Sequence, residues 1–244
     1  MENLTQPSLE DAFTATNRQK VMAWGAHLFT ASGAIWGLLS IIAISEERWI
    51  QAFGWMALAV FVDSFDGFLA RQLQVKKVLP QIDGALLDNM VDYLNYVVVP
   101  TYFLYHAGLF PSQLMLLGCI MILLASAYQF SQDDAKTEDH YFKGFPSYWN
   151  FVVFYIVLLD LNPWINLAAT TILSILVFVP IKYVYPSRTG MWHNLTMSLA
   201  GIWTVLNVII LIQYPDHARW MVVASFTFIA YYICLSLYAT WKAR

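Results

Sequence analysis

Apolar runs of about twenty residues, each closed by a short polar or Pro-marked break, recur from near residue 20 to the end of the 244-residue chain. A helix that crosses a bilayer core needs ~20 such residues, within a range of roughly 17 to 25. The pattern predicts spans at 21–44, 50–71, 84–107, 112–131, 146–160, 164–182, 192–213 and 218–241, about eight in all. The fifth is short and ends at Asp160-Leu161-Asn162-Pro163, so the fifth and sixth also read as one broken hairpin. Strands are not needed anywhere. The expected fold class is all-α: a polytopic transmembrane helical bundle in one domain, 21–244, behind a polar N-terminal segment, 1–20. That segment lacks the apolar stretch of a secretory signal, and residues 8–20 fit a short interfacial amphipathic helix.

Composition supports the membrane reading. Only 12% of residues are charged and 59% are hydrophobic, whereas soluble domains carry ~25% charged residues. A net charge of −3 with no broad basic surface argues against nucleic-acid binding. Cys119 and Cys234 both lie inside apolar runs and offer neither a disulfide framework nor metal spacing; packing is their expected role. Of the 13 Lys and Arg residues, Arg48 and Arg219 fall on one side of the predicted spans, and Arg18, Lys20, Arg71, Lys76, Lys77, Lys136, Lys143, Lys182, Arg188, Lys242 and Arg244 on the other. The positive-inside rule therefore puts both termini in the cytoplasm.

Against this background four carboxylates stand out. Asp63 and Asp66 close the second span, and Asp88 and Asp92 open the third, so all four converge at the cytoplasmic side. Acids at membrane depth are costly and call for a compensating positive charge. No Lys or Arg is near enough in sequence to neutralise all four, which makes a divalent metal the natural partner. On a helix Asp63, Asp66, Gly67 and Ala70 form one stripe, and Gly84, Asp88 and Asp92 another. Joined by the loop 72–83, the two stripes can face each other and offer an all-oxygen site suited to Mg2+ or Mn2+. The small residues Gly67, Ala70 and Gly84 leave room against the backbone, or else allow close helix packing. Arg71 adds a planar cation fitted to phosphate. Such a site suits a pyrophosphate, and two metals about 3.5–4 Å apart would clamp a displacement at phosphorus.

The run D-x2-D-G-x2-A-R, a spacer of twelve, then G-x3-D-x3-D, carried here by Asp63, Asp66, Gly67, Ala70, Arg71, Gly84, Asp88 and Asp92, resembles the signature of the CDP-alcohol phosphotransferase family at every fixed position. The segments His27–Gly33, Val75–Pro80, Leu86–Tyr93, Lys136–Asn150 and Tyr185–Thr189 are similar to the branch of that family that joins CDP-diacylglycerol directly to choline. The resemblance implies that Asp63, Asp66, Asp88 and Asp92 hold two metal ions, Mn2+ or Mg2+, with Asp92 also the general base. It implies that Asp63, Asp66, Gly67, Ala70, Arg71 and Gly84 form the CDP-diacylglycerol site. It further implies attack of the choline hydroxyl on the β-phosphorus with release of CMP, in a homodimer of the bacterial inner membrane with its active site facing the cytoplasm.

Other residues carry plainer expectations. His27 is expected to be packed, Asp83 to cap a helix, and Lys76 and Lys77 to mark the cytoplasmic side. Lys136, Lys143 and Arg188 are cytoplasmic charges by default and candidates for a lipid phosphate, Lys143 and Arg188 foremost. A quaternary ammonium takes no conventional hydrogen bond and is held by aromatic faces. Tyr93, Tyr96, Tyr102, Tyr148 and Trp149 lie at a suitable depth for choline, and Asn89 stands ready to orient its hydroxyl. Two alternatives stay open: a sister enzyme accepting serine, inositol or glycerol phosphate, and a divalent-cation transporter.

Overall fold

The computed structural model of the protein describes residues 15–243. The first helix, α1 (Asn17–Ser45), begins at a capping box in which the Thr16 hydroxyl accepts from the Gln19 backbone and the Gln19 side chain accepts from the Thr16 backbone. Residues 17–20 of the expected interfacial segment therefore belong to α1, and the portion before residue 15 lies outside the described residues. A tight turn with Glu47 in the left-handed region leads to α2 (Trp49–Gln72). After a single helical turn, α3 (Val75–Val78), the Asp83 carboxylate accepts from the N–H groups of Ala85 and Leu86, both at 3.0 Å, and so starts α4 (Gly84–Tyr93).

From α4 the chain passes through one π-helical turn, Leu94–Val98, into α5 (Val99–His106). These three pieces make the third expected span. Next come α6 (Met115–Phe130), α7 (Trp149–Leu159), α8 (Pro163–Leu176), α9 (His193–Ile212) and α10 (Arg219–Lys242). Five stretches, 17–45, 49–72, 112–130, 193–212 and 219–242, are each long and apolar enough to cross a membrane alone. The protein is thus a multi-pass helical membrane protein. Its α7 and α8 are shorter than a full crossing, and the turn between them puts Asp160 in the left-handed region while Asn162 caps α8.

Two expectations need correction. The sixth span was expected to run to residue 182, yet α8 stops at Leu176. Pro180 follows, and the residue before a proline is disfavoured in the helical region. The expectation of no strands also fails: β1 (Tyr141–Lys143) pairs antiparallel with β2 (Lys182–Val184), Phe142 opposite Tyr183. Backbone groups that leave a helix need new partners. The ladder supplies them, and α10 supplies more: Lys182 N donates to Thr240 Oγ1 at 2.8 Å and Val184 N to Ser236 Oγ at 3.1 Å. Gly144 locks the corner. It adopts φ +78°, its N–H donates to Ile181 O at 2.9 Å, and a Cβ there would fall 2.1 Å from Val177 O.

The main core joins Phe53, Val97, Phe103, Leu104, Ile122 and Trp149, drawn from α2, the π turn, α5, α6 and α7. The buried stripe of α1 is made of small residues, among them Ala23, Ala26, Gly33, Gly37 and Ala43, which lets neighbouring helices approach closely. Large apolar residues such as Leu28, Ile35, Leu117, Ile202 and Trp220 point outward, as expected of surfaces that meet lipid.

Candidate active site

Helix α2 carries Asp63 and, one turn later, Asp66; α4 carries Asp88 and Asp92. The antiparallel return brings one carboxylate oxygen each from Asp63, Asp88 and Asp92 within 4.8 Å of one another. Asp66 stands outside that triplet but is buried beside it, and it shares with Asp63 and Asp92 a cavity of about 10 Å³ lined also by Thr30, Gly33 and Tyr96. That volume holds one water-sized or ion-sized occupant. Hard oxygen donors are the ligands Mg2+ and Mn2+ prefer, and an octahedral Mg2+ at ~2.0–2.1 Å spans opposite ligands ~4 Å apart. A triplet within 4.8 Å needs to close by under an ångström, so the donor set fits a divalent cation.

The π turn explains how this group is held. It turns Asn95 and Tyr96, both buried, toward α1 and α2. The Tyr96 hydroxyl donates to Asp63 Oδ2 at 2.7 Å. The Asn95 amide donates to Gly33 O at 3.0 Å and to Val91 O at 3.1 Å. Close approach is possible because α1 has no side chain there: a Cβ on Gly33 would lie 2.5 Å from Val91 Cγ1, and one on Gly37 2.8 Å from Asn95 Oδ1.

The remaining signature residues sit around the carboxylates. Arg71 is exposed, with its guanidinium folded back over Gly67, where a Cβ would come 3.2 Å from Arg71 Nη1. Ala70 packs with Leu69 and Leu73 against the cluster of Ala23, Ala26, Val75 and Val78. Gly84 is backed by the imidazole of His27, 3.1 Å from the position of a Cβ. His27 is buried and, among the described residues, its Nε2 has no hydrogen-bond partner.

The aromatic candidates divide. Tyr148 is half-buried, with its ring 6.1 Å from that of Tyr96. Trp149 is fully buried in the core and donates Nε1–H to Ser126 Oγ at 2.7 Å. Tyr93 turns the other way, its hydroxyl donating to Leu123 O at 3.0 Å and its ring meeting Phe130 edge-on. Tyr102 lies against His106, 5.6 Å between rings. Asn89 is half-buried on α4 and does not line the cavity.

The candidates for a lipid phosphate, Lys143 and Arg188, both have partners within the protein. Lys143 Nζ donates to Asp134 Oδ2 at 2.5 Å, and Arg188 lies over the Tyr185 ring at 5.9 Å. The hydrogen bond from Lys143 holds the Asp134 carboxyl below its ordinary range; those from Lys182 and Thr137 do the same for Asp139. Sequence reasoning read Lys136 as a loop charge or a lipid-phosphate candidate and did not connect it with Asp63, Asp88 and Asp92, which it neighbours in space. It comes from the loop after α6, so spacing along the chain gave no sign of it. Asn95 was also missed, although the Gly33-x3-Gly37 spacing in α1 marked where another helix would press close.

Comparison with known proteins bears on this arrangement. The sequence profile described as CDP-alcohol phosphatidyltransferase matches residues 24–184, which include all four aspartates. A protein of Legionella pneumophila named phosphatidylcholine synthase is 41% identical over 233 residues, covering 93% of this chain and 91% of that protein. Proteins of the same name from Borreliella burgdorferi and Pseudomonas aeruginosa are 37% and 36% identical, over 93% and 90% of this chain and 98% and 92% of their own lengths.

Proposed function

The chain belongs to the CDP-alcohol phosphatidyltransferase family, and on that premise we propose that it transfers the phosphatidyl group of CDP-diacylglycerol to choline, yielding phosphatidylcholine and CMP. The observation that carries the reaction type is the meeting of Asp63, Asp88 and Asp92 within 4.8 Å, at the end of α2 that also carries Gly67 and Arg71. What supports choline as the acceptor is the name shared by relatives over nearly the whole chain. An acidic floor with the buried Tyr96 and half-buried Tyr148 rings beside it suits an acceptor that is cationic and cannot donate a hydrogen bond from nitrogen.

In this reading Asp63, Asp66, Asp88 and Asp92 hold two divalent ions, Mg2+ or Mn2+. When bound, the metal supplies Lewis-acid stabilisation of the pyrophosphate oxygens and of the departing phosphate. Asp92 takes the proton of the choline hydroxyl, whose oxygen forms a bond to the β-phosphorus as the bridging bond to CMP breaks. Arg71, free to unfold from Gly67, binds the phosphates of the nucleotide and offsets their growing charge. Tyr96 keeps Asp63 oriented by its 2.7 Å hydrogen bond. Gly67, Ala70 and Gly84 give the CDP group clearance, Tyr96 and Tyr148 stand nearest the acceptor, and Lys143 and Arg188 meet lipid headgroups from the cytoplasmic loops. The distribution of Lys and Arg supports both termini and the site facing the cytoplasm of a bacterial inner membrane. Family resemblance supports a homodimer.

The test is an acceptor panel. Purified protein with Mg2+ or Mn2+ and CDP-diacylglycerol is offered labelled choline, serine, inositol or glycerol phosphate in turn. CMP and labelled lipid form with choline. Release with serine alone would overturn the choice of acceptor, and no release with any alcohol would overturn the enzymatic reading.

A further inference from the structure

A file of aromatic rings leads away from the aspartates toward the β1–β2 pair. It starts at Tyr96, whose hydroxyl is fixed on Asp63. The Tyr148 ring follows at 6.1 Å, then Phe142 of β1 at 6.1 Å and 84° from Tyr148, and then Tyr185 at 4.6 Å from Phe142. Among the described residues the buried Tyr232 hydroxyl has no hydrogen-bond partner. Unlike Trp149, which the core encloses fully, Phe142, Tyr148 and Tyr185 are half-buried and keep ring surface in reserve.

From this geometry we infer that Tyr148 and Phe142, buttressed by Tyr185, form the wall that receives the trimethylammonium head of the acceptor, so that the β1–β2 pair sets acceptor specificity. The inference rests on the choline reading above and adds to it residues from an element outside the signature helices. Among the described residues, side-chain cations already lie over the rings of Tyr141 and Tyr185 but not over those of Tyr148 and Phe142. A ring face beside a buried carboxylate attracts a quaternary ammonium, and the attraction grows as water is excluded. Two lysines of the β1–β2 pair are already engaged: Lys143 is paired with Asp134 and Lys182 with Asp139. The wall is also held in place. Thr189 Oγ1 donates to His140 O at 2.7 Å, and Gly144 N donates to Ile181 O, so Phe142 and Tyr185 are tied to one another from both ends.

The test compares KM values in the purified, lipid-reconstituted protein. Phe142→Leu and Tyr148→Leu each raise the KM for choline about tenfold, leave the KM for CDP-diacylglycerol within about twofold, and narrow the preference for choline over dimethylethanolamine. Phe142→Tyr and Tyr148→Phe, which keep a π face, restore most of the loss. Tetramethylammonium, which has no hydroxyl, inhibits the parent protein competitively against choline; this readout needs no variant. An unchanged choline KM in both leucine variants, an equal rise for both substrates, or no competition by tetramethylammonium would overturn the inference while leaving the phosphatidyltransferase reading intact. A parent protein inactive with choline but active with another alcohol would overturn both.

Discussion

The wall of the site that carries Asp63, Asp88 and Asp92 is made of helix, whereas the wall that carries Phe142, Tyr148 and Tyr185 is made of loop, a helix start and two three-residue strands. On the helical wall each position is fixed twice, by intrahelical hydrogen bonds and by packing against the small-residue stripe of α1. On the other wall a few specific bonds hold the shape: Gly144 to Ile181, Thr189 to His140, Lys182 to Thr240 and Val184 to Ser236. The difference matches the tasks assigned to them. Geometry at phosphorus tolerates little displacement. Seating a rounded ammonium on ring faces tolerates more, and a wall of loops varies more readily between proteins.

The sharpest way to break this division is at its chemical centre. Asp92→Asn lowers turnover by ~10²–10⁴-fold, the range set by loss of a general base, while CDP-diacylglycerol binding measured by titration survives. If binding is lost as fully as turnover, Asp92 serves mainly as a ligand of the metal.

Gly144→Ala comes next. The left-handed φ and the approach to the Val177 carbonyl forbid a side chain without backbone movement. The loop wall should therefore loosen, read as faster proteolysis between residues 131 and 148 and a raised choline KM. Affinity for CDP-diacylglycerol should change little. A parallel loss of both substrates would show that the walls do not act separately.

Within the helical wall, Tyr96→Phe removes one hydrogen bond to a carboxylate, worth about 1.5–3 kcal/mol. Its kcat/KM falls roughly 10- to 150-fold by the usual conversion, with the loss in kcat if Tyr96 orients Asp63. Gly37→Ala presses on Asn95 Oδ1 at 2.8 Å and lowers stability by about 1–3 kcal/mol, visible as a lower Tm with substrate KM values kept in the surviving folded protein.

The smallest effect belongs to the exposed ion pairs. Asp139 is held below its ordinary carboxyl range by the hydrogen bonds from Lys182 and Thr137. A depressed folded value adds stability that is complete above the unfolded value of ~3.9 and is lost as pH falls through the lower folded one. The stability difference between pH 6 and pH 3 should therefore shrink slightly in Asp139→Asn, by the small amount typical of surface pairs.

Much of the helical wall was legible in the sequence, because helical periodicity places i, i+3 and i+4 on one face and the apolar runs state where helices lie. Asp83 as a cap and the convergence of Asp63, Asp88 and Asp92 follow from those rules. The π turn did not follow, since one extra residue in a helix leaves no mark on hydropathy; it is what sends Tyr96 toward Asp63 and leaves Tyr93 facing α6. Trp149 shows the same limit from the other side, since its depth suited choline but its face points into the core. The loop wall was read least well. Three-residue strands carry too few positions to show alternation, and the bonds that define the wall join residues about forty to sixty apart, such as His140 with Thr189 and Lys182 with Thr240. Lys136 belongs to that same class, near the aspartates in space and far from them along the chain.

Asp63, Asp66, Asp88 and Asp92 would hold the divalent ion on which transfer of phosphorus to an alcohol depends, and the most direct measurement is CMP release by the purified protein after chelation with EDTA. The account predicts no release in EDTA, and full release only when Mg2+ or Mn2+ is restored and choline is present. Undiminished release in EDTA, or equal release with choline omitted, would contradict it.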